Sequence, residues 1–222
     1  MTQEPEHPRE MGERRLPMAL AVLAVGGLVL IVPEEFRLSN ALHYAYCVLL
    51  LVMLIVLIVG DPGRIDKQHR WLRIVSGALI ALITALTMMS AARLVLGILE
   101  HADFATPAQL LIIGGAIWTI NVIAFALWYW HLDSGGPAAR ARGELPTNPA
   151  FVFPEQSIPA LVAQGWYPKF VDYLALSFNT ALAFSPTDVA AIRHWPKLCM
   201  ILESLISLIL VALVLARAVN VL

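Results

Sequence analysis

Five long apolar runs constrain the fold of this chain more than any other feature of its sequence. About 20 apolar residues in helical form cross the roughly 30 Å hydrocarbon core of a bilayer. A spanning segment of this kind folds as a helix, because hydrocarbon cannot hydrogen-bond to free backbone groups. With 59% hydrophobic and 14% charged residues, the chain is predicted to be an all-α, polytopic transmembrane protein with five long spans. The runs are Leu16–Val32, Ala41–Gly60, Leu72–Ile98, Ala108–His131 and Pro196–Val219.

Residues at the ends of these runs are typical of helix boundaries. Ser39 precedes the second run and can cap its helix. Thr106 is followed by Pro107, which suits the first position of the fourth helix. The aromatic triplet 128–130 ends the fourth run, as expected of an aromatic belt at the membrane surface.

The chain divides into four predicted regions: a polar tail, four membrane helices, a loop containing proline and glycine, and a C-terminal unit, at residues 1–15, 16–131, 132–168 and 169–222. The C-terminal unit begins with a shorter apolar segment, Lys169–Ser185, which Pro186 ends. Its length is near the lower limit of about 17 residues for a spanning helix. The sequence therefore leaves open whether this segment spans the membrane or re-enters it.

Positive charge orients the predicted spans, because cytoplasmic loops of membrane proteins are enriched in lysine and arginine. A cytoplasmic N-terminus fits this rule equally well in two arrangements. In one there are six crossings, and in the other the short segment re-enters from the inside. Re-entry from the outside would place the basic cluster Arg64–Arg73 outside, and the rule rejects it. We therefore expect a cytoplasmic N-terminus.

Two charged residues inside apolar runs favour six crossings over five. Arg93 lies near the end of the third run, and Glu203 lies about two turns into the last. Six crossings place both residues in the same half of the bilayer, whereas five place them in opposite halves. An unpaired intramembrane charge costs at least about 2.5–3.5 kcal/mol. We therefore expect six crossings, with Glu203 in an ion pair with Arg93 or in a hydrogen bond to the short helix.

The C-terminal unit resembles the pore region of two-transmembrane potassium channels. Ser177-Phe178 match the pore helix of that family, and Leu202-Glu203 match a pair in its inner helix. Thr180 and Asp188 match the first and last residues of its filter motif, Thr-x-Thr-Thr-Val-Gly-Tyr-Gly-Asp. The resemblance implies a short pore helix, a turn and an inner helix in that order.

The filter itself has been replaced. Residues 182–187 read Leu-Ala-Phe-Ser-Pro-Thr, and Ser185 stands in the position of a filter glycine. A potassium filter stacks rings of backbone carbonyls around the ion. Pro186 fixes its own φ angle and restricts the residue before it, so this ladder of carbonyls cannot form. Potassium selectivity of the usual kind is therefore not expected.

The chain also resembles a group of bacterial integral-membrane proteins of unknown function whose pore signature is degenerate in the same way. The resemblance rests on three segments: FALWYWHLDSGGP, YLALSFNTALAFSPTD and LVLARAVNVL. It implies a multi-pass protein of the bacterial inner membrane and supplies no activity.

Five polar residues are candidates for a pore-like or intramembrane role: Thr180, Ser185, Asp188, Glu203 and Arg93. Asp188 is also placed to cap the last helix. We expect no enzyme, metal site or cofactor site, because the sequence holds no catalytic or metal-ligand spacing. A net charge of −1 gives no basic footprint for nucleic acid. The expected partners are the lipid bilayer and, for a pore, further copies of the chain.

Three functional hypotheses follow from these observations. The first is an oligomeric pore of unknown, non-potassium selectivity. The second is a non-conducting membrane scaffold or regulatory subunit that keeps the packing of the pore unit. The third is a small-solute transporter, which ranks below both because the sequence contains no internal repeat.

Overall fold

The computed structural model describes residues 12–33, 39–65, 69–99, 106–142, 149–158, 160, 165–182 and 188–221, with side chains up to 219. The two short strand pairs in these ranges are β1 (Glu13–Arg14) with β2 (Arg64–Ile65) and β3 (Phe151–Val152) with β4 (Ala190–Ala191). Nearly all the remaining structure is helical, which confirms the all-α prediction. The helices are α1 (Leu16–Ile31), α2 (Asn40–Gly60), α3 (Arg70–Leu99), α4 (Pro107–Leu132), α5 (Pro137–Ala141), α6 (Pro154–Ser157), α7 (Phe170–Leu182) and α8 (His194–Val221).

Four of the described helices are long and apolar enough to cross a membrane: α2, α3, α4 and α8. The expectation of five long spans is not confirmed, because α1 has only 16 residues and a length of about 24 Å. It is nevertheless apolar throughout and packs against α2 and α4. Several apolar helices are what a multi-pass membrane protein requires.

The helix boundaries follow the local chemistry of the sequence. The Ser39 hydroxyl accepts a hydrogen bond from the Leu42 backbone N–H at 3.2 Å and so caps α2. At the start of α4, the Gln109 side chain accepts from the Thr106 backbone N–H at 3.0 Å. The end of α2 lies so close to α3 that a Cβ at Gly60 would meet side chains of α3 within 3 Å.

Helix α4 lies at the centre of the bundle. Of the residues in its most apolar stretch, 72% are buried, against 22–28% in the corresponding stretches of α2, α3 and α8. It packs against α1, α3, α7 and α8. Where α4 crosses α8, a Cβ at Gly114 would lie 2.7 Å from a methyl group of Val214. The outer helices are thus arranged around α4 and expose their other faces.

Helices α7 and α8 begin at the same end of the bundle. Phe170, the first residue of α7, packs edge-on against Trp130 near the end of α4, and Phe178 lies further along α7 against Trp118. Trp195, at the start of α8, contacts Phe151. Phe151 in turn contacts Tyr129 near the end of α4. Both helices therefore run antiparallel to α4 from a common starting level.

In this arrangement α7 has the geometry expected of a re-entrant helix. Its 13 residues extend about 20 Å, which is less than the hydrocarbon thickness. After α7 the chain is back at the same end, because β4 pairs there with β3 and α8 starts three residues after β4 ends. The expectation of six crossings is wrong, because α7 and α8 begin at the same end of the bundle.

Most of the positive charge lies at this end, which we call the basic end. It is defined as the end where α1, α3, α7 and α8 begin and where α2 and α4 finish. Among the described lysines and arginines, only Arg93 and Arg217 lie elsewhere. Those at the basic end are Arg14, Arg15, Arg64, Arg70, Arg73, Arg140, Arg142, Lys169, Arg193 and Lys197.

Cysteine labelling can test the re-entrant path of α7. With Cys47 and Cys199 replaced by alanine, we expect Lys169→Cys and Ala190→Cys to react with a membrane-impermeant maleimide from the same side of the membrane. Both positions are exposed and flank α7 at the basic end. Ser39→Cys, at the opposite end, serves as the control and should react only from the other side. Reaction of Lys169→Cys and Ala190→Cys from opposite sides would refute the re-entrant path.

Candidate functional site

A fully buried carboxyl group joins the three helices of the C-terminal half. Glu203 lies on α8 and has 0% of its surface exposed. The Tyr129 hydroxyl of α4 donates to its Oε2 at 2.6 Å. The Ser177 hydroxyl of α7 forms a hydrogen bond with its Oε1. The same hydroxyl lies 2.7 Å from the carbonyl oxygen of Val122 on α4.

The number of hydrogens at Ser177 favours a protonated Glu203. A serine hydroxyl has one hydrogen to donate, and the Val122 carbonyl can only accept. Both contacts of Ser177 are hydrogen bonds when its hydrogen goes to Val122 and Glu203 donates its own proton to the Ser177 oxygen. The ion pair found among the described residues is Arg15–Asp61 at the basic end, so no cation neutralises this carboxyl. A neutral carboxyl avoids the large cost of a buried unpaired charge.

Two further polar contacts lie beside Glu203. The Ser204 hydroxyl donates to the Thr180 carbonyl at 2.9 Å. The Asn121 side-chain amide donates to the Ser207 hydroxyl at 3.1 Å. The polar residues in the middle of α8 therefore face inward. The outward face is apolar and includes Leu198, Ile201, Leu205, Leu208, Ile209, Val211 and Leu215.

Arg93 does not pair with Glu203. Both helices begin at the basic end, and Arg93 lies about 35 Å along α3, whereas Glu203 lies about 14 Å along α8. Arg93 instead lines a cavity of about 80 Å³ toward the opposite end, together with Tyr46 and Thr87. The expected pair is wrong because it assumed six crossings.

The other predicted residues differ in their surroundings. Thr180 is buried near Glu203, and its hydroxyl donates to the Leu176 carbonyl of its own helix. Asp188 is exposed and lies six positions before α8 begins at His194, so the expected capping role is wrong. Ser185 lies outside the described residues.

A second polar cluster, which was not predicted from the sequence, lies at the basic end. Asp133 follows α4 and is 1% exposed. Its carboxylate accepts from the Tyr173 hydroxyl at 2.5 Å and from the Ala150 backbone N–H at 2.8 Å. Arg140 donates to the Asp133 carbonyl at 2.7 Å and lies over the Tyr173 ring at 4.9 Å. These contacts join α4, α5, the following loop and α7.

Glu13 extends this cluster to the N-terminal strand. It is 3% exposed, and it accepts from the Trp130 indole at 2.8 Å and from the Phe170 backbone N–H at 2.5 Å. Burial raises the pKa of Glu13 above its ordinary value, although these two hydrogen bonds and nearby Arg140 act against the shift. The signal for this cluster was the unusual HLDSGG sequence directly after the aromatic end of α4.

The described residues hold no group of three His, Cys, Asp or Glu side chains that could bind a metal ion. The arrangement can hold a neutral carboxyl in the bundle and fix the entry of α7. Comparison of the chain with known protein families, curated proteins and solved structures found no match.

Substitution of Glu203 tests its protonated form. Glutamine can donate to Ser177 and accept from Tyr129 in the same way as a neutral carboxyl, so we expect Glu203→Gln to change stability by less than about 1 kcal/mol. Glu203→Ala should cost about 2–4 kcal/mol, because it leaves a cavity and an unpaired tyrosine hydroxyl. Unfolding in mixed detergent micelles measures both. An equal loss for the two variants would contradict a neutral carboxyl.

The same assay tests the separation of Arg93 from Glu203. The effects of Arg93→Ala and Glu203→Ala should add to within about 0.5 kcal/mol in the double variant. A double variant more stable than Glu203→Ala alone would instead indicate an ion pair.

The raised pKa of Glu13 predicts that the stability of the protein depends on pH. In the folded protein it holds its proton more tightly than in the unfolded chain. Stability therefore falls as the pH rises from the ordinary glutamate value of 4.5 through the raised one. Glu13→Gln cannot ionise and should lack this component, while Arg140 and Asp172, the charged groups near Glu13, remain in both proteins. Thermal unfolding in detergent between pH 4 and 7 measures the difference. A difference that is constant with pH would contradict the raised pKa.

Proposed function

We propose that this protein is a multi-pass protein of the bacterial inner membrane whose channel-like C-terminal unit acts as a non-conducting scaffold. The excess of lysine and arginine at the basic end supports a cytoplasmic location for that end and for the N-terminus. The chain then crosses the membrane with α1, α2, α3, α4 and α8, and α7 enters from the cytoplasmic side.

The observation that carries this proposal is the direction of the polar groups of α8. Glu203, Ser204 and Ser207 all form hydrogen bonds with α4 or α7 of the same chain. The outward face of α8 between Leu198 and Leu215 exposes large apolar side chains. An ion path needs carbonyl, hydroxyl or charged groups along its wall, and apolar constrictions lose their water. A pore lined by this face of α8 would be closed to ions.

The outer face of α7 favours an oligomeric pore as a second candidate. Phe178 and Leu182 are 46% and 41% exposed, and Asn179 between them is also exposed. An amide facing lipid lacks hydrogen-bond partners and is costly, so a second copy of the chain at this face would remove that cost. In such an assembly Asn179 would contribute a polar group to the path between copies.

Flux measurements separate the two candidates. Protein reconstituted in liposomes is expected to pass no K⁺, Na⁺, H⁺ or Cl⁻ above the rate of empty liposomes at several membrane potentials. Addition of gramicidin to the same vesicles shows that cation flux would have been detected. Flux that is lost in Asn179→Leu and kept in Val171→Leu, an exposed position at the start of the same helix, would refute the scaffold and support the pore.

A further inference from the structure

A cavity of about 360 Å³ lies at the basic end, between the ends of α1, α2 and α3 and the turn that follows α4. Its volume falls within the range of about 300–1,000 Å³ that is common for ligand sites. The walls are largely apolar and include Met18, Leu57, Leu72, Trp130 and Pro137. Neither polar cluster described above fills this space.

The charged groups around the cavity leave it positive. Arg15 and Asp61 form an ion pair of 3.0 Å and neutralise each other. Arg70 and Arg73 also line the cavity and stay exposed to solvent, so their charges are not compensated by that pair. The charged and titratable lining groups are Arg15, Asp61, His69, Arg70, Arg73 and His131.

His131 is the second indication of a ligand. It lines the cavity and is 6% exposed. Its neighbours are the ring of Trp128 and the helix backbone at Gly77, where a Cβ would lie 3.3 Å from Nε2. An imidazole nitrogen can donate a hydrogen bond to a phosphate oxygen, so a ligand in the cavity would have a polar partner in this residue.

The first turn of α3 is a third feature of the cavity that favours an anionic ligand. His69, Arg70, Leu72 and Arg73 all line the cavity, and α3 is a long helix of 30 residues. The first backbone N–H groups of a helix have no partner within it, and the helix dipole favours an anion at this end. Phosphate oxygens suit both the N–H groups and the arginines.

We propose that this cavity binds the phosphate head group of an anionic membrane lipid. Arg70, Arg73, His131 and the first turn of α3 would contact the phosphate, while Met18 and Leu57 would contact the apolar part next to it. The apolar walls and the position at the end of the helix bundle favour a lipid over a soluble phosphate, since basic pockets between membrane helices recognise lipid head groups. This site does not depend on whether the protein conducts ions.

Lipid binding to the purified full chain tests the proposal. The probes are phosphatidylglycerol, phosphatidylcholine and inorganic phosphate, measured by native mass spectrometry from detergent. We expect retention of phosphatidylglycerol, and a loss of affinity of about tenfold or more in Arg70→Gln/Arg73→Gln. Both arginines are exposed, so the variant should fold. Ser76→Phe, which narrows the cavity without removing charge, should also weaken binding.

A matched control removes charge from the same end outside the cavity. Arg142→Gln/Lys197→Gln replaces two exposed basic residues that do not line it, and its affinity should stay within about twofold. An equal loss in both double variants would show attraction to the whole basic end and would refute the site. Equal retention of phosphatidylcholine, or binding of inorganic phosphate without phosphatidylglycerol, would overturn the assignment to an anionic lipid.

Discussion

A helix that ends inside a membrane protein needs partners for its last carbonyl groups, because lipid offers none. Helix α7 meets this constraint through α8. The Thr180 carbonyl is among the last four of α7, which have no partner within the helix, and the Ser204 hydroxyl donates to it. One turn earlier, Ser177 contacts α4 and α8 together. Helices α4 and α8 thus supply polar groups at the depth where the last turns of α7 need them.

Much of the fold could be predicted from the sequence. Apolar length predicted five long spans, of which four are confirmed as long apolar helices and the first, α1, is shorter. Side chains such as Ser39 marked the helix starts. The path of α7 could not be decided in this way. Its length allows a thin span or a re-entrant helix, and the charge rule scored the two equally. Six crossings were preferred because they would allow Glu203 to pair with Arg93.

The assumed pairing of Glu203 with Arg93 explains why the candidate site was predicted only in part. The sequence singled out Glu203 as a buried carboxyl and correctly expected it to need a partner. Two partners were open, an ion pair with Arg93 or a hydrogen bond to the short helix, and the prediction of six crossings used the ion pair. The hydroxyls of Tyr129 and Ser177 satisfy it instead. Which hydroxyl reaches Glu203 depends on the rotation and depth of three helices, and apolar periodicity does not specify either.

The contacts of α7 also bear on what an oligomer would add. Its start is held by Glu13 through the Phe170 backbone and by Asp133 through Tyr173. Its middle is held by Glu203 and its end by Ser204. Every one of these contacts lies within a single chain, so positioning α7 does not require a second copy. The difference between a scaffold and a pore is therefore confined to the outward side of α7 and α8. There Asn179 is the one polar side chain between Val171 and Leu182 that the structure leaves exposed, and a second copy that covers it is required by the pore proposal and not by the scaffold proposal.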